Sequence, residues 1–155
     1  FTLFGPEFVK TLVNMGFDIF LDLKFHDIPN TVAKACKAAA ELGVWMVNVH
    51  ASGGAEMMKA AKLAIESSSH SETKLIAVTV LTSMDSEDLR QMGIGLDVQS
   101  LVVQRATLAM ATGCDGVIAS GLEAAQLRET LGPEAIIVTP GIHSYCPSNC
   151  ARYTR

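Results

Sequence analysis

"FDIFLDLKFHDIPNTVAKACKAAAELGVWMVNVHA", residues 17–51, runs from one apolar segment through an alanine-rich one to a second apolar segment. The first, "FDIFLDLKF" (17–25), is too short for a buried helix and is rich in residues that suit a strand. The middle stretch, "NTVAKACKAAAEL", places Val32, Cys36, Ala39 and Leu42 at helical spacing, and Gly43 supplies the stop. "VWMVNVHA" (44–51) then reads as a second strand. Strand, helix, strand within 35 residues is a βαβ unit. Its strands are nearly continuous in apolar residues, as expected where both sheet faces are covered, so the strands are predicted to be parallel.

The same alternation continues along the chain. "KLIAVTVL" (74–81), "CDGVIAS" (114–120) and "AIIVTPG" (135–141) read as three more strands. "GGAEMMKAAKLAIESS", "DVQSLVVQRATLAMATG" and "GLEAAQLRETLG" read as the intervening helices, and "PEFVKTLVNMG" as a leading one. An open doubly wound sheet would carry a glycine fingerprint after its first strand, but "ASGGAE" (51–56) lacks the G-x-G-x-x-G spacing. Its glycines could still turn backbone N–H groups toward an anion at a helix start. The expected fold class is therefore α/β, a partial (β/α)8 TIM barrel of about five of the eight βα units, since a complete one needs about 250 residues. Residues 1–142 are expected to form this domain, with 143–155 outside it.

Composition bounds the function. Of 155 residues, 49% are hydrophobic and 18% charged, enough apolar content for a sizeable core. A net charge of −4 without a basic block speaks against nucleic acid or an anionic membrane as partner. No apolar run approaches the ~20 residues that span a bilayer. Cys36 and Cys114 lie among apolar or small residues and read as reduced core thiols, which suits a cytoplasmic protein.

The chemistry concentrates at the end of the first strand. Alternation puts Phe20, Asp22 and Lys24 on one face and Leu21, Leu23 and Phe25 on the other. With the leucines under a helix, Asp22 and Lys24 face the barrel interior at the C-terminal strand ends, where catalytic groups of this fold collect. A structural ion pair closing one end of the barrel is the plainer alternative. Neighbouring carboxylates favour the ammonium form of a lysine. That makes it a poor Schiff-base nucleophile but a well-held proton donor. An ionised aspartate alongside would repel a substrate carboxylate, so the pair suits cofactor-free decarboxylation.

"FLDLKFHDIPNTV" (20–32) closely resembles the D-x-K-x-x-D…I-P-x-T signature of the orotidine 5′-phosphate decarboxylase family. "VNVHASGG", "LIAVTVLTSM" and "VTPGI" follow in the family's order and spacing, so the resemblance covers residues 1 to about 142. It implies a carbon–carbon lyase that converts orotidine 5′-phosphate to UMP and CO2 in de novo pyrimidine biosynthesis, without metal or organic cofactor. Lys24 matches the proton donor to C6, Asp22 the carboxylate set against the leaving CO2, and Asp27 the aspartate that completes the charge network across a homodimer interface. Asp27 and Thr31 would reach the neighbouring site. The substrate-binding segment implied is Asp22, Leu23, Lys24, Phe25, His26, Asp27, Ile28, Pro29, Asn30 and Thr31, joined by Thr82 and Pro140. Asn48 and His50, on one face of the second strand, would support the site.

Duller readings compete at several positions. His50 could be a satisfied core histidine, His26 could hold its loop, Thr79 could simply pack in its strand, and His70 in "SSSHSE" reads as solvated. Met57, Met58 and Met84 read as core filling. In the tail, His143, Cys146 and Cys150 form a weak metal-like spacing. There, His143 stands where the family has an arginine, and a broken reading frame is the expectation. The resemblance also implies two further strands before Phe1 and a phosphate-holding glycine-arginine strand after the tail, so the 155-residue chain alone is expected to be inactive. Two other functions remain open. One is a magnesium-dependent hexulose-phosphate synthase or keto-gulonate-phosphate decarboxylase, which lack the H-D-I-P-N-T continuation. The other is a non-catalytic nucleotide- or phosphate-binding remnant.

Overall fold

The computed structural model describes residues 1–142 of the chain; the tail with His143, Cys146 and Cys150 lies outside them. Helix α1 (Gly5–Asn14) precedes strand β1 (Phe20–Phe25), followed by α2 (Pro29–Ala40), β2 (Met46–His50), a 3-10 turn (Ala51–Gly53) and α3 (Ala55–Glu66). Then come β3 (Lys74–Val78), α4 (Ser86–Gln91), α5 (Val98–Ala111), β4 (Gly116–Ile118), α6 (Ala124–Leu131) and β5 (Ile136–Val138). The five strands form one parallel sheet in the order β1-β2-β3-β4-β5. Each strand falls inside the apolar run expected for it. Helix α4 was not anticipated; its signal is local, a capping box in which Asp85 and Asp88 each accept the other's backbone N–H.

Both sheet faces are buried, for different reasons. Odd-numbered residues such as Val47, Val49, Leu75, Ala77 and Val117 face the helices and join the main core with Val32, Met57, Met58, Ile65, Val102 and Leu127. Met46, Ile76, Val78 and Ile118 face the other way, and Phe20, Ile136 and Val138 from the two edge strands pack against them. Among the described residues no helix contributes to this second cluster, yet Met46 and Ile76 are buried. A flat sheet would leave that face wet, so the strands must curl over it. This is the concave wall of a partial (β/α)8 barrel.

Cys36 and Cys114 are both buried free thiols, and burial pushes them up to about 12 and about 11, which leaves them inert near neutrality. At the N-terminal end of the sheet, the Asp115 carboxylate accepts the Leu75 N–H at 2.8 Å and pairs with Lys62 at 2.9 Å. The side chains of this pair are only 20% and 18% exposed. Asp115→Ala strands a backbone donor and an ammonium together and is expected to cost about 2 kcal/mol in urea unfolding. A loss below about 0.5 kcal/mol would place the pair among ordinary surface contacts.

Candidate active site

The strand–helix alternation leaves the carboxyl ends of all five strands along one rim, and β1 is irregular there. Leu21 pairs with Val47 and Phe25 with Val49, so four steps along β1 are matched by two along β2. The excess is even, and Leu21 and Phe25 therefore still face the same helix-side core. The bulge between them is closed at Lys24, whose φ of 51° is the one positive value for a non-glycine among the described residues. Such a conformation costs a lysine roughly 1–2 kcal/mol, and structure nearby must hold it.

What holds it is Asn48, fully buried in β2 on the concave face. Its Oδ1 accepts the Lys24 backbone N–H at 2.8 Å, and its Nδ2 donates to Asp22 Oδ1 at 2.6 Å. Lys24 Nζ then donates to both oxygens of Asp22, at 2.6 and 2.7 Å. Desolvation raises the Asp22 carboxyl, but the hydrogen bonds from Lys24 and Asn48 and the Lys24 charge outweigh it, and the group titrates below the usual carboxylate value. The Lys24 and Asp22 side chains are 39% and 47% exposed, so the pair adds little stability. The pair is thus an ammonium bound through two contacts to a carboxylate, both partly open to solvent.

The loop after β1 stays at the surface. His26, Asp27, Ile28, Pro29, Asn30 and Thr31 are all exposed, and Asp27 Oδ1 accepts the N–H of Ile28 at 2.6 Å. No ion pair joins Asp27 to Lys24 within the chain. Pro29 at the first turn starts α2, where its missing N–H costs nothing. Leu23 and Phe25 pack toward the helix-side core. Pro140 is exposed after β5, at the sheet edge opposite β1. Thr82 is exposed and lines a narrow recess with Val98, Val102 and Glu123.

A cleft of about 200 Å³ at the ends of β2 and β3 is lined by His26, His50, Ser52, Thr79, Arg105 and apolar residues of the α4 region; Asp22 and Lys24 are not among its lining residues. The His26 and His50 rings lie 5.5 Å apart. Two contributors were not anticipated. Arg105 of α5 reaches in to donate to the Thr79 carbonyl at 2.7 Å; an arginine amid the small and apolar residues of that helix was the available signal. Gly53, the other, does not line the cleft but leaves room behind it: a Cβ there would collide with the Met57 side chain and lie 3.2 Å from the His26 ring. Thr79 is buried and donates to the Ile118 carbonyl at 2.9 Å, so it is a paired strand-end residue.

Burial, followed by the charges of His26, Lys24 and Arg105, holds His50 below its ordinary 6.5, with Asp22 opposing. The folded state therefore binds fewer protons at this site than the unfolded chain just below pH 6.5. Its contribution is complete above that pH and drains away as pH falls toward the depressed midpoint. Urea midpoints measured from pH 7.5 down to about 5 should fall, and His50→Gln should flatten part of that slope. An unchanged slope in the variant would remove His50 as its source.

No described helix is long and apolar enough to cross a membrane. The family model for orotidine 5′-phosphate decarboxylase / HUMPS matches residues 1–148. The orotidine 5′-phosphate decarboxylase of Pseudoalteromonas atlantica is 61% identical over 142 residues, covering 92% of this chain and 62% of the relative. That of Nitrosomonas europaea is 54% identical over 149 residues, covering 96% and 63%. A crystal structure of orotidine 5′-phosphate decarboxylase from Lactobacillus acidophilus superposes with a TM-score of 0.85 at 44% identity, covering 90% of this chain and 64% of that one. The chain thus spans about three-fifths of the length of the curated relatives it matches.

Proposed function

Because the chain belongs to the orotidine 5′-phosphate decarboxylase / HUMPS family, we propose that its function is the decarboxylation of orotidine 5′-phosphate to UMP and CO2. The observation that carries this reading is the two-point Lys24–Asp22 pair on the concave rim, held in place by the buried Asn48. In the proposed step the substrate carboxylate lies against Asp22, whose charge opposes its ionised form. The bond from C6 to the carboxylate breaks, CO2 departs, and the electron pair stays on C6. Lys24 Nζ donates its proton to that carbon and is reprotonated from water. This route asks for no cofactor.

Other roles follow the family motif residue by residue. Ile28, Thr31, Thr82 and Pro140 contact the substrate, and Asn48 and His50 support the site. In a homodimer, Asp27 and Thr31 serve the neighbouring site; both are exposed here and so available for that role. The enzyme works in the cytoplasm. Catalysis needs the closed barrel, so the 155-residue chain alone is expected to consume no substrate.

The test is a spectrophotometric assay of the intact gene product. Orotidine 5′-phosphate should disappear at an enzyme-like rate, and EDTA should not slow it. Loss of activity with EDTA, restored by magnesium, would move the chain to the metal-dependent sister enzymes. Saturable UMP binding without turnover would make it a binding module.

A further inference from the structure

We propose that Asn48 is the positioning residue of the Asp22–Lys24 pair, acting as a two-sided template that fixes the Lys24 backbone with one end of its carboxamide and the Asp22 carboxylate with the other. The inference deepens the decarboxylase reading and rests on it for its catalytic meaning, though not for its structural content.

The argument starts from the bulge. Opening two extra residues between Leu21 and Phe25 removes the ladder partner that the Lys24 N–H would have had on β2. A lone lysine at positive φ in a strand has no local reason to stay there. Asn48 Oδ1 supplies the missing acceptor at 2.8 Å, from a strand whose own backbone is already paired on both sides. The same carboxamide presents Nδ2 to Asp22 at 2.6 Å. The amide is planar, so fixing one end fixes the other, and the distance between the Lys24 backbone and the Asp22 carboxylate is set by one rigid group. Asn48 is fully buried, so its alternative is not water but an unpaired amide. Aspartate cannot offer the donor and leucine can offer neither group, whereas glutamine offers both one methylene too far out.

The groups facing Asp22 are Lys24, Asn48 and, more distantly, His50. The test is NMR of the intact gene product and of two variants, Asn48→Ala and Asn48→Leu, the second of which keeps the side-chain volume. In the unsubstituted protein, the Asn48 side-chain amide and the Lys24 backbone amide should both shift with the same midpoint as the Asp22 carboxyl carbon. In each variant that folds, the Asp22 midpoint should rise toward the ordinary carboxylate value, and the Lys24 amide should lose its protection from exchange. Asp97, whose carboxylate accepts from the Ser100 N–H and hydroxyl at the start of α5, should not move. In the decarboxylase assay both variants should lose at least tenfold in kcat with KM changed less than threefold.

Amides in the unsubstituted protein that ignore the Asp22 titration would overturn the proposal, and that measurement needs no variant to fold. So would folded variants with an unmoved Asp22 midpoint, whatever their melting temperature, since packing alone would lower stability without touching that midpoint. A protein with no turnover, but with the NMR behaviour described, would sink the decarboxylase reading and leave the positioning role standing.

Discussion

Lys24→Gly in the intact gene product is expected to abolish decarboxylation, by about 10³-fold or more in kcat, while leaving stability within about 1 kcal/mol of the parent. The two halves have separate causes. Removing the ammonium removes the proton for C6 and leaves the Asp22 carboxylate without its counter-charge, so chemistry and charge placement fail together. Stability hardly suffers, because the lost ion pair is half exposed. Glycine also adopts a φ of 51° without the steric cost that lysine bears. Its greater freedom in the unfolded chain offsets part of that gain. Lys24→Ala should be equally inactive but less stable than Lys24→Gly, since alanine keeps the Cβ. A glycine variant that retains turnover would displace Lys24 from the mechanism. One that loses more than about 2 kcal/mol in urea would mean that the ion pair holds the fold rather than serving the reaction.

Gly116→Ala should be the most damaging single methyl in the described residues. Gly116 starts β4 and pairs with Ile136 of β5. A Cβ on it would press into the Ile136 carbonyl oxygen, lie 2.7 Å from its carbonyl carbon, and lie 2.6 Å from its Cβ. These are mostly backbone atoms of a hydrogen-bonded strand, which cannot swing aside as a side-chain tip can. Relief requires β5 to move off β4, and the concave cluster to which Ile136 and Val138 belong would open with it. The expected cost is about 3 kcal/mol or more, a fall of roughly 6–12 °C in Tm for a chain of this size. Gly54→Ala is the control. Its φ of 86° disfavours a side chain, but no atom lies within 4 Å of the added Cβ. With ψ at 172° that conformation is one essentially only glycine adopts, so the cost should be about 1–3 kcal/mol, all of it backbone strain. Equal losses at the two sites would show that glycine's conformational freedom, rather than close strand approach, decides both.

Much of this molecule is written in local sequence. Apolar runs of strand length separated by alanine-rich segments with three-to-four spacing leave few packings besides a parallel sheet under helices, because each periodicity can bury its apolar set in only one way. The same parity placed Asp22 and Asn48 on the face away from Leu21 and Val47, and the charges at 22 and 24 against an apolar background marked the site. The motif string supplied the chemical reading and the family. None of this depended on knowing which distant residues meet.

Three features required the folded chain. The bulge at Lys24 arises because β1 and β2 pair out of step, and pairing register is a property of two segments that no single segment encodes. Arg105 enters the cleft from 26 residues beyond Thr79, and Gly53 matters only because Met57 and His26 converge on it. Asn48 was visible as a polar residue in an apolar strand, but its two hydrogen bonds were not, since their partners lie 24 and 26 residues away. Periodicity fixes which way a side chain points. Only tertiary packing fixes what it meets there, because the energy of a buried polar group depends on partners that chain proximity does not select.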